Sequence, residues 1–174
     1  MGPFGVAQLR SGWTAMARIT VKHRHGQSFD IHVRGYRLVS DEPVTLGGDD
    51  EGPTPTELMV AGLAACAADE VVKSLMDEGV SFDLTEVEAD FVWDAEGRRV
   101  ASIRLSITLP DEISESTRQK LLLAMLSCPA RKMLAEPPNV EYELKAAGIP
   151  TLAGPGLGGS FWPDEPPPDV DSQG

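Results

Sequence analysis

Two cysteines are the residues of this chain best suited to chemistry. Cys66 ends the stretch GPTPTELMVAGLAAC, Cys128 stands in KLLLAMLSCPARKM, and the chain has no others. Each lies in or at the end of an apolar segment with helical spacing. A free cysteine is commonly a small buried hydrophobe. Two of them, each set in a distinctive local sequence, point instead to a reactive pair. The thiolate is the nucleophile, and an ordinary thiol with a pKa near ~8.5 is mostly protonated at neutral pH. Charge near each sulfur therefore matters. Asp69 and Glu70 follow Cys66 by three and four residues, share its helix face and oppose its ionisation. Cys128 precedes Pro129 at the start of a short helical turn with Arg131 and Lys132 nearby, and that helix end favours an anion. These surroundings predict Cys128 to be the more acidic thiol.

The elements that position the pair can be read from periodicity. Residues 16–24 and 28–34 are β-rich and flank His-Gly-Gln, which predicts a hairpin. Residues 36–53 are full of turn formers and predict a loop or a short edge strand. Thr54, Pro55 and Glu57 fit a capping box with proline at the first helical position. The helix they open carries Leu58, Gly62, Ala65, Cys66, Val72, Leu75 and Met76 at three- and four-residue steps, and Gly79 ends it. It spans about 35 Å. Its small apolar centre, AGLAACAA, allows another backbone to approach closely and suits a central helix. Residues 84–93 and 100–109 form the clearest hairpin, with Val87, Ala89, Phe91 and Trp93 on one face and Pro110 ending its second strand. Ser116 with Gln119 predicts a cap for a helix over 117–127. Pro129 disfavours helical geometry at Cys128 and forces a break before a turn over 129–135. Residues 139–145 predict a last strand. Hairpins with segregated helices make the fold class α+β, with antiparallel sheet.

Bulk properties narrow the function. The chain has 174 residues, 15 basic and 27 acidic, for a net charge of −12. That excludes the basic footprint expected for nucleic acid or an anionic membrane surface. Residues 1–37 nevertheless carry six basic side chains, Arg10, Arg18, Lys22, Arg24, Arg34 and Arg37, against the single acid Asp30. This end is the main source of cations for an anionic site. No apolar run is long enough to span a membrane and no signal peptide is evident, so a cytoplasmic setting with reduced thiols is expected. The domain plan is an N-terminal segment over 1–15, one domain over 16–146, and a flexible acidic tail rich in proline and glycine over 147–174. His23, His25 and His32 lack carboxylate or cysteine partners at ligand spacing, so no metal and no cofactor are expected. Trp13, Phe161 and Trp162 have no periodic partners.

Over residues 16–146 the chain resembles the OsmC/Ohr family of thiol-dependent hydroperoxide-detoxifying proteins. The segment DEPVTLGGDDEGPTPTELMVAGLAAC carries the resemblance, joined by SCPARKML with its cysteine followed by proline. Glu57, nine residues before Cys66, matches the less characterised OsmC-like branch. Another branch has its glutamate ten residues before the cysteine, where this chain has Thr56. The resemblance implies antiparallel sheets wrapped around two central helices in an intertwined homodimer, with active sites at the subunit interface. It implies that Cys66 attacks an organic hydroperoxide and becomes a sulfenic acid. Cys128 then condenses with it to a disulfide, which an external dithiol reduces. It also implies an arginine and a glutamate that organise the first cysteine. Glu57 is the glutamate candidate, Arg34 and Arg37 beside the Gly-Tyr turn are the arginine candidates, and Arg24 comes third. The apolar surroundings Met59, Leu63, Leu122, Met125 and Leu126 point to a small apolar hydroperoxide as substrate. Two alternatives remain open on the same scaffold: a protein that binds an apolar small molecule with little or no catalysis, and a thiol redox sensor.

Overall fold

In the computed structural model, which describes residues 18–83, 85–109, 112–146 and 149–154, antiparallel strands and helices alternate as an α+β arrangement. The N-terminal segment 1–15, the tail beyond Gly154 with Phe161 and Trp162, Trp13 and Pro110 lie outside the described residues. The described residues divide into two compact units at Pro55/Thr56.

The first unit is a three-stranded antiparallel sheet, β1 (Ile19–His25), β2 (Ser28–Val33) and β3 (Tyr36–Ser40), in that order. Gly26, at φ 49°, makes the first turn, and Arg34, at φ 53°, opens the second. The stretch expected as a loop or edge strand is both: β3 at the sheet edge, then a loop with one 3-10 turn at Val44–Leu46. Asp41 organises that loop. Its side chain is buried, and its carboxylate accepts the backbone N–H groups of Glu42 (2.8 Å), Asp49 (3.0 Å) and Glu51 (3.2 Å). The glycines here leave no room for a side chain. A Cβ on Gly48 would stand 1.9 Å from the Glu42 carbonyl oxygen, and one on Gly52 would stand 2.4 Å from that of Val39.

Burial works against the Asp41 carboxylate, but its backbone donors, with the charge of His25, outweigh it and hold the pKa below the ordinary value. The folded pKa lies below the unfolded one. This group therefore stabilises the fold above the unfolded value of about 3.9 and ceases to do so as pH falls through the lowered folded value. Thermal unfolding followed from pH 5 downward is expected to show that loss, and Asp41→Asn is expected to remove this part of the pH dependence while lowering stability at neutral pH. An unchanged acid slope in the variant would show that Asp41 is not the titrating group.

The second unit begins with α1 (Pro55–Glu78), with proline as its first residue as the sequence predicts. It ends as predicted at Gly79, φ 67°. Val80 N–H donates to the Leu75 carbonyl (3.0 Å) and Gly79 N–H to that of Met76 (3.1 Å), the paired bonds that close a helix on a left-handed residue. Strands β4 (Glu86–Trp93) and β5 (Val100–Thr108) form the expected hairpin. Val87, Ala89 and Phe91 alternate inward, but a register shift between Val92 and Trp93 breaks the series, and Trp93 is exposed.

Helix α2 (Glu115–Ser127) starts two residues earlier than predicted. Its cap is Ser114, whose Oγ accepts the Thr117 N–H at 3.1 Å. Ser116 instead sits in the first turn beside the Ser114 hydroxyl, and Gln119 reaches Glu115. Helix α3 (Pro129–Ala135) coincides with the predicted turn. Strand β6 (Tyr142–Ala146) is followed by β7 (Ile149–Gly154), which pairs with it antiparallel. Strand pairing thus extends into a stretch whose proline and glycine content reads as tail.

The core of this unit is Val71, Leu75 and Leu121, with Val80, Ile107, Leu109, Ile113 and Met125 packed against them. Among the described residues no helix is long and apolar enough to cross a membrane.

Candidate functional site

The second unit brings the two cysteines together. Val60, Leu63, Ala67, Val71 and Leu75 recur at helical spacing and turn one face of α1 inward. Cys66 lies beside that face, half-buried. Cys128 occupies the break between α2 and α3 in extended geometry (φ −51°, ψ 129°), as expected for a residue before proline. Its N–H still donates to the Met125 carbonyl (3.2 Å), and its carbonyl accepts from Lys132 N–H (3.0 Å). The kink is therefore fixed by hydrogen bonds on both sides. Its side chain is wholly buried, and its thiol lies near enough to Cys66 to act on that group's ionisation; both thiols are free.

The start of α3 was expected to favour an anion on Cys128. The structure directs it elsewhere: Cys128 makes no side-chain cap bond, and the Ala130 N–H favours the ionised form of Cys66. A cap residue accepts a helical N–H only when its side chain folds back over the first turn. Here the Cys128 side chain makes no such bond, and the donor acts on the Cys66 thiol instead. That donor stabilises a thiolate, but it is not the largest influence. Burial pushes the Cys66 thiol above its ordinary value, and the neighbouring Cys128 thiol and the charge of Glu70 push the same way. Asp69 and Glu70, the two anions that threaten Cys66, are both paired with Lys73.

The remaining candidates fall in different places. Glu57 sits in the first turn of α1, exposed. Nine residues at 1.5 Å and 100° each put it about 13 Å along the axis from Cys66 and on the opposite side of the helix. Within one chain, therefore, α1 does not bring Glu57 to Cys66. Arg34, Arg37 and Arg24 all belong to the first unit. Arg34 lies over the Tyr36 ring, 5.2 Å from its centroid. Arg37 donates to Asp30 Oδ1 through Nε (3.1 Å) and Nη2 (2.7 Å). Arg24 pairs with Glu51, donates to Ser28 Oγ (3.0 Å) and approaches Asp30. His25 stands 3.3 Å from Asp49 and 3.4 Å from Glu51.

Sequence reasoning missed the groove on the second unit. It has a volume of about 1010 Å³ and runs from α1 across β5 to α2 and α3. Its walls are mostly apolar, among them Leu63, Ile103, Leu122 and Leu126, and its polar edge includes Thr56, Arg98, Arg99 and Arg131. Cys128 lies in its wall; Cys66 does not border it. The available signal was the Arg98-Arg99 pair in the hairpin loop, which leads straight into the apolar alternation of β5.

A family model described as OsmC-like protein matches residues 48–143, which hold α1, the β4–β5 hairpin and both cysteines. No curated protein matches the chain. Among solved structures, one from Psychrobacter arcticus 273-4, described as a candidate osmotic stress induced and detoxification response protein, is 24% identical with a TM-score of 0.63 over 69% of this chain and 89% of its own. An OsmC-like protein from Mycoplasma pneumoniae is 17% identical, TM-score 0.58, over 71% and 90%. An organic hydroperoxide resistance protein of Bacillus subtilis is 19% identical, TM-score 0.52, over 70% and 92%. At these identities the structures establish a shared fold. The family model covers more than half of the chain, and the chain belongs to the OsmC-like protein family.

Proposed function

We propose that the chain is a thiol-dependent peroxidase that reduces organic hydroperoxides. The observation that carries this is the proximity of the two thiols: Cys66 is partly open, and both the Ala130 N–H and the buried Cys128 thiol lie near enough to shift its ionisation. The Cys66 thiolate attacks the outer oxygen of the hydroperoxide. The O–O bond breaks, the alkoxide leaves and takes a proton to become an alcohol, and Cys66 is oxidised to a sulfenic acid. The Cys128 sulfur then attacks the Cys66 sulfur, water leaves, and a disulfide forms. An external dithiol returns both cysteines to thiols by exchange.

The raised pKa of Cys66 sets the pH profile. The thiolate fraction, and with it the attack rate, climbs through the alkaline range rather than levelling off near neutrality. Two copies of the chain are the proposed working unit. The small residues Ala61, Gly62 and Ala65 of α1 are exposed, and a second cleft of about 410 Å³ is lined by Ala61, Ala64, Ala65, Ala68, Val87 and Ala89, which supports close helix approach.

The test is stopped-flow consumption of one equivalent of an organic hydroperoxide by the reduced protein, followed by intact mass. Fast consumption with loss of two hydrogens is the expected result. Consumption at the rate of an ordinary free thiol with no disulfide overturns it.

A further inference from the structure

We propose that Lys73 is a positioning residue for Cys66: it holds the Asp69 and Glu70 carboxylates away from the sulfur, and through them sets how readily Cys66 reacts. The proposal rests on the thiol chemistry given above and deepens it by naming a residue that tunes the attacking cysteine. Cys66, Asp69, Glu70 and Lys73 form one row along α1, in steps of three and four residues. Lys73 Nζ pairs with Asp69, four residues back, and lies 3.4 Å from Glu70 Oε1, three residues back. Helical side chains lean toward the helix N-terminus. Left alone, both carboxylates would lean over the turn that carries Cys66. Lys73 leans the same way, reaches back to both, and draws them toward the C-terminal end of the helix.

An anion beside a thiol opposes the thiolate, and the Glu70 charge adds to burial and to the Cys128 thiol in pushing the Cys66 pKa up. The Glu70 side chain is 24% exposed against 59% for Asp69, so solvent screens its charge less and compensation by Lys73 counts for more there. From the α2–α3 break, the Cys128 thiol and the Ala130 N–H act on Cys66. Arg131 and Lys132 of α3 are exposed to solvent, and Lys120 of α2 is paired with Glu78, about three turns further along α1. The β4–β5 hairpin turns Val87, Ala89 and Ile103 inward and leaves Glu86, Glu88, Asp90 and Arg104 exposed. Among these described cations, Lys73 is the one bonded to the anions beside Cys66. An acid four residues before a lysine also steadies a helix, but that role alone would leave the ionisation of Cys66 unchanged.

The experiment is alkylation of the reduced full chain by iodoacetamide, a neutral reagent, from about pH 6 to about pH 10. Peptide mass spectrometry reads modification at Cys66 separately from Cys128. Lys73→Met keeps an aliphatic stem and removes the charge. It is expected to slow alkylation about twofold at neutral pH, to move the midpoint of the profile to higher pH, and to leave the alkaline plateau no lower. Lys73→Arg is expected to restore the wild-type profile. Lys73→Met combined with Glu70→Gln is expected to recover most of the loss, because the anion that needed compensation is gone. A Lys73→Met profile identical to the wild type would overturn the proposal. So would equal slowing at every pH, which marks a distorted helix, or a double variant no faster than Lys73→Met. Alkylation needs no hydroperoxide, so the two readings fail separately. Shifted profiles without hydroperoxide reduction would remove the peroxidase function and keep the role of Lys73; fast reduction with unshifted profiles would remove the role and keep the function.

Discussion

Cys66→Ser is expected to lower hydroperoxide reduction at least about a hundredfold, to the level of an unassisted thiol, because the group that attacks the O–O bond is gone. Cys128→Ser is expected to behave differently. Its first turnover proceeds at nearly the wild-type rate, since Cys66 and the Ala130 N–H remain, and then the reaction stalls. Intact mass would show the gain of one oxygen on Cys66 in place of the loss of two hydrogens, and a sulfenic-acid reagent would trap it. The contrast tests the order of events. If Cys66→Ser keeps the first turnover and Cys128→Ser loses it, the roles are reversed and the attacking sulfur is the buried one. The geometry argues against that exchange. Cys128 has no exposed side-chain surface, whereas Cys66 is partly open.

The sequence is informative where local effects decide the structure. Helical spacing, Pro55 and Gly79 placed α1 with its correct ends, because capping and periodicity are local effects. The same holds for α3, whose start is dictated by Pro129. Local logic also identified the anions near Cys66, yet it did not reveal that Lys73, one turn further on, pairs with both. The helix end near Cys128 was recognised as an anion-stabilising device, but the direction of its N–H depends on how α3 meets α1, a tertiary relation that no spacing rule encodes. Ser116 failed as a cap for a narrower reason: two serines compete at neighbouring positions, and Ser114 wins because Thr117 presents its orphan N–H there. The groove was invisible since its walls come from five elements. The resemblance supplied the pairing of the cysteines, and in the fold the Cys128 thiol lies near enough to Cys66 to raise its pKa.

The same packing that holds Cys66 against Cys128 should be expensive to disturb from a distance. Leu75→Ala is expected to destabilise the second unit by about 3 kcal/mol, within the 2–5 kcal/mol typical of large-to-small changes at closed sites. Leu75 is fully buried, and Val71, Leu121 and Ile107 close around it from three elements, so little collapse into the void is available. It also supplies the carbonyl that ends α1 through Val80 N–H, which ties its position to the helix terminus. Met76 is the control. It is adjacent on the same helix, loses a side chain of similar size on Met76→Ala, and is 58% exposed. That change is expected to cost within about 1 kcal/mol. Urea denaturation of both variants reads the difference directly as a shift in midpoint at unchanged slope. Equal costs for the two would mean that the buried face of α1 is not the one that carries Val71 and Leu75. A rotation of α1 large enough to produce that result would also turn Cys66 away from Ala130, and with it remove the proximity of the two thiols on which the proposed chemistry depends.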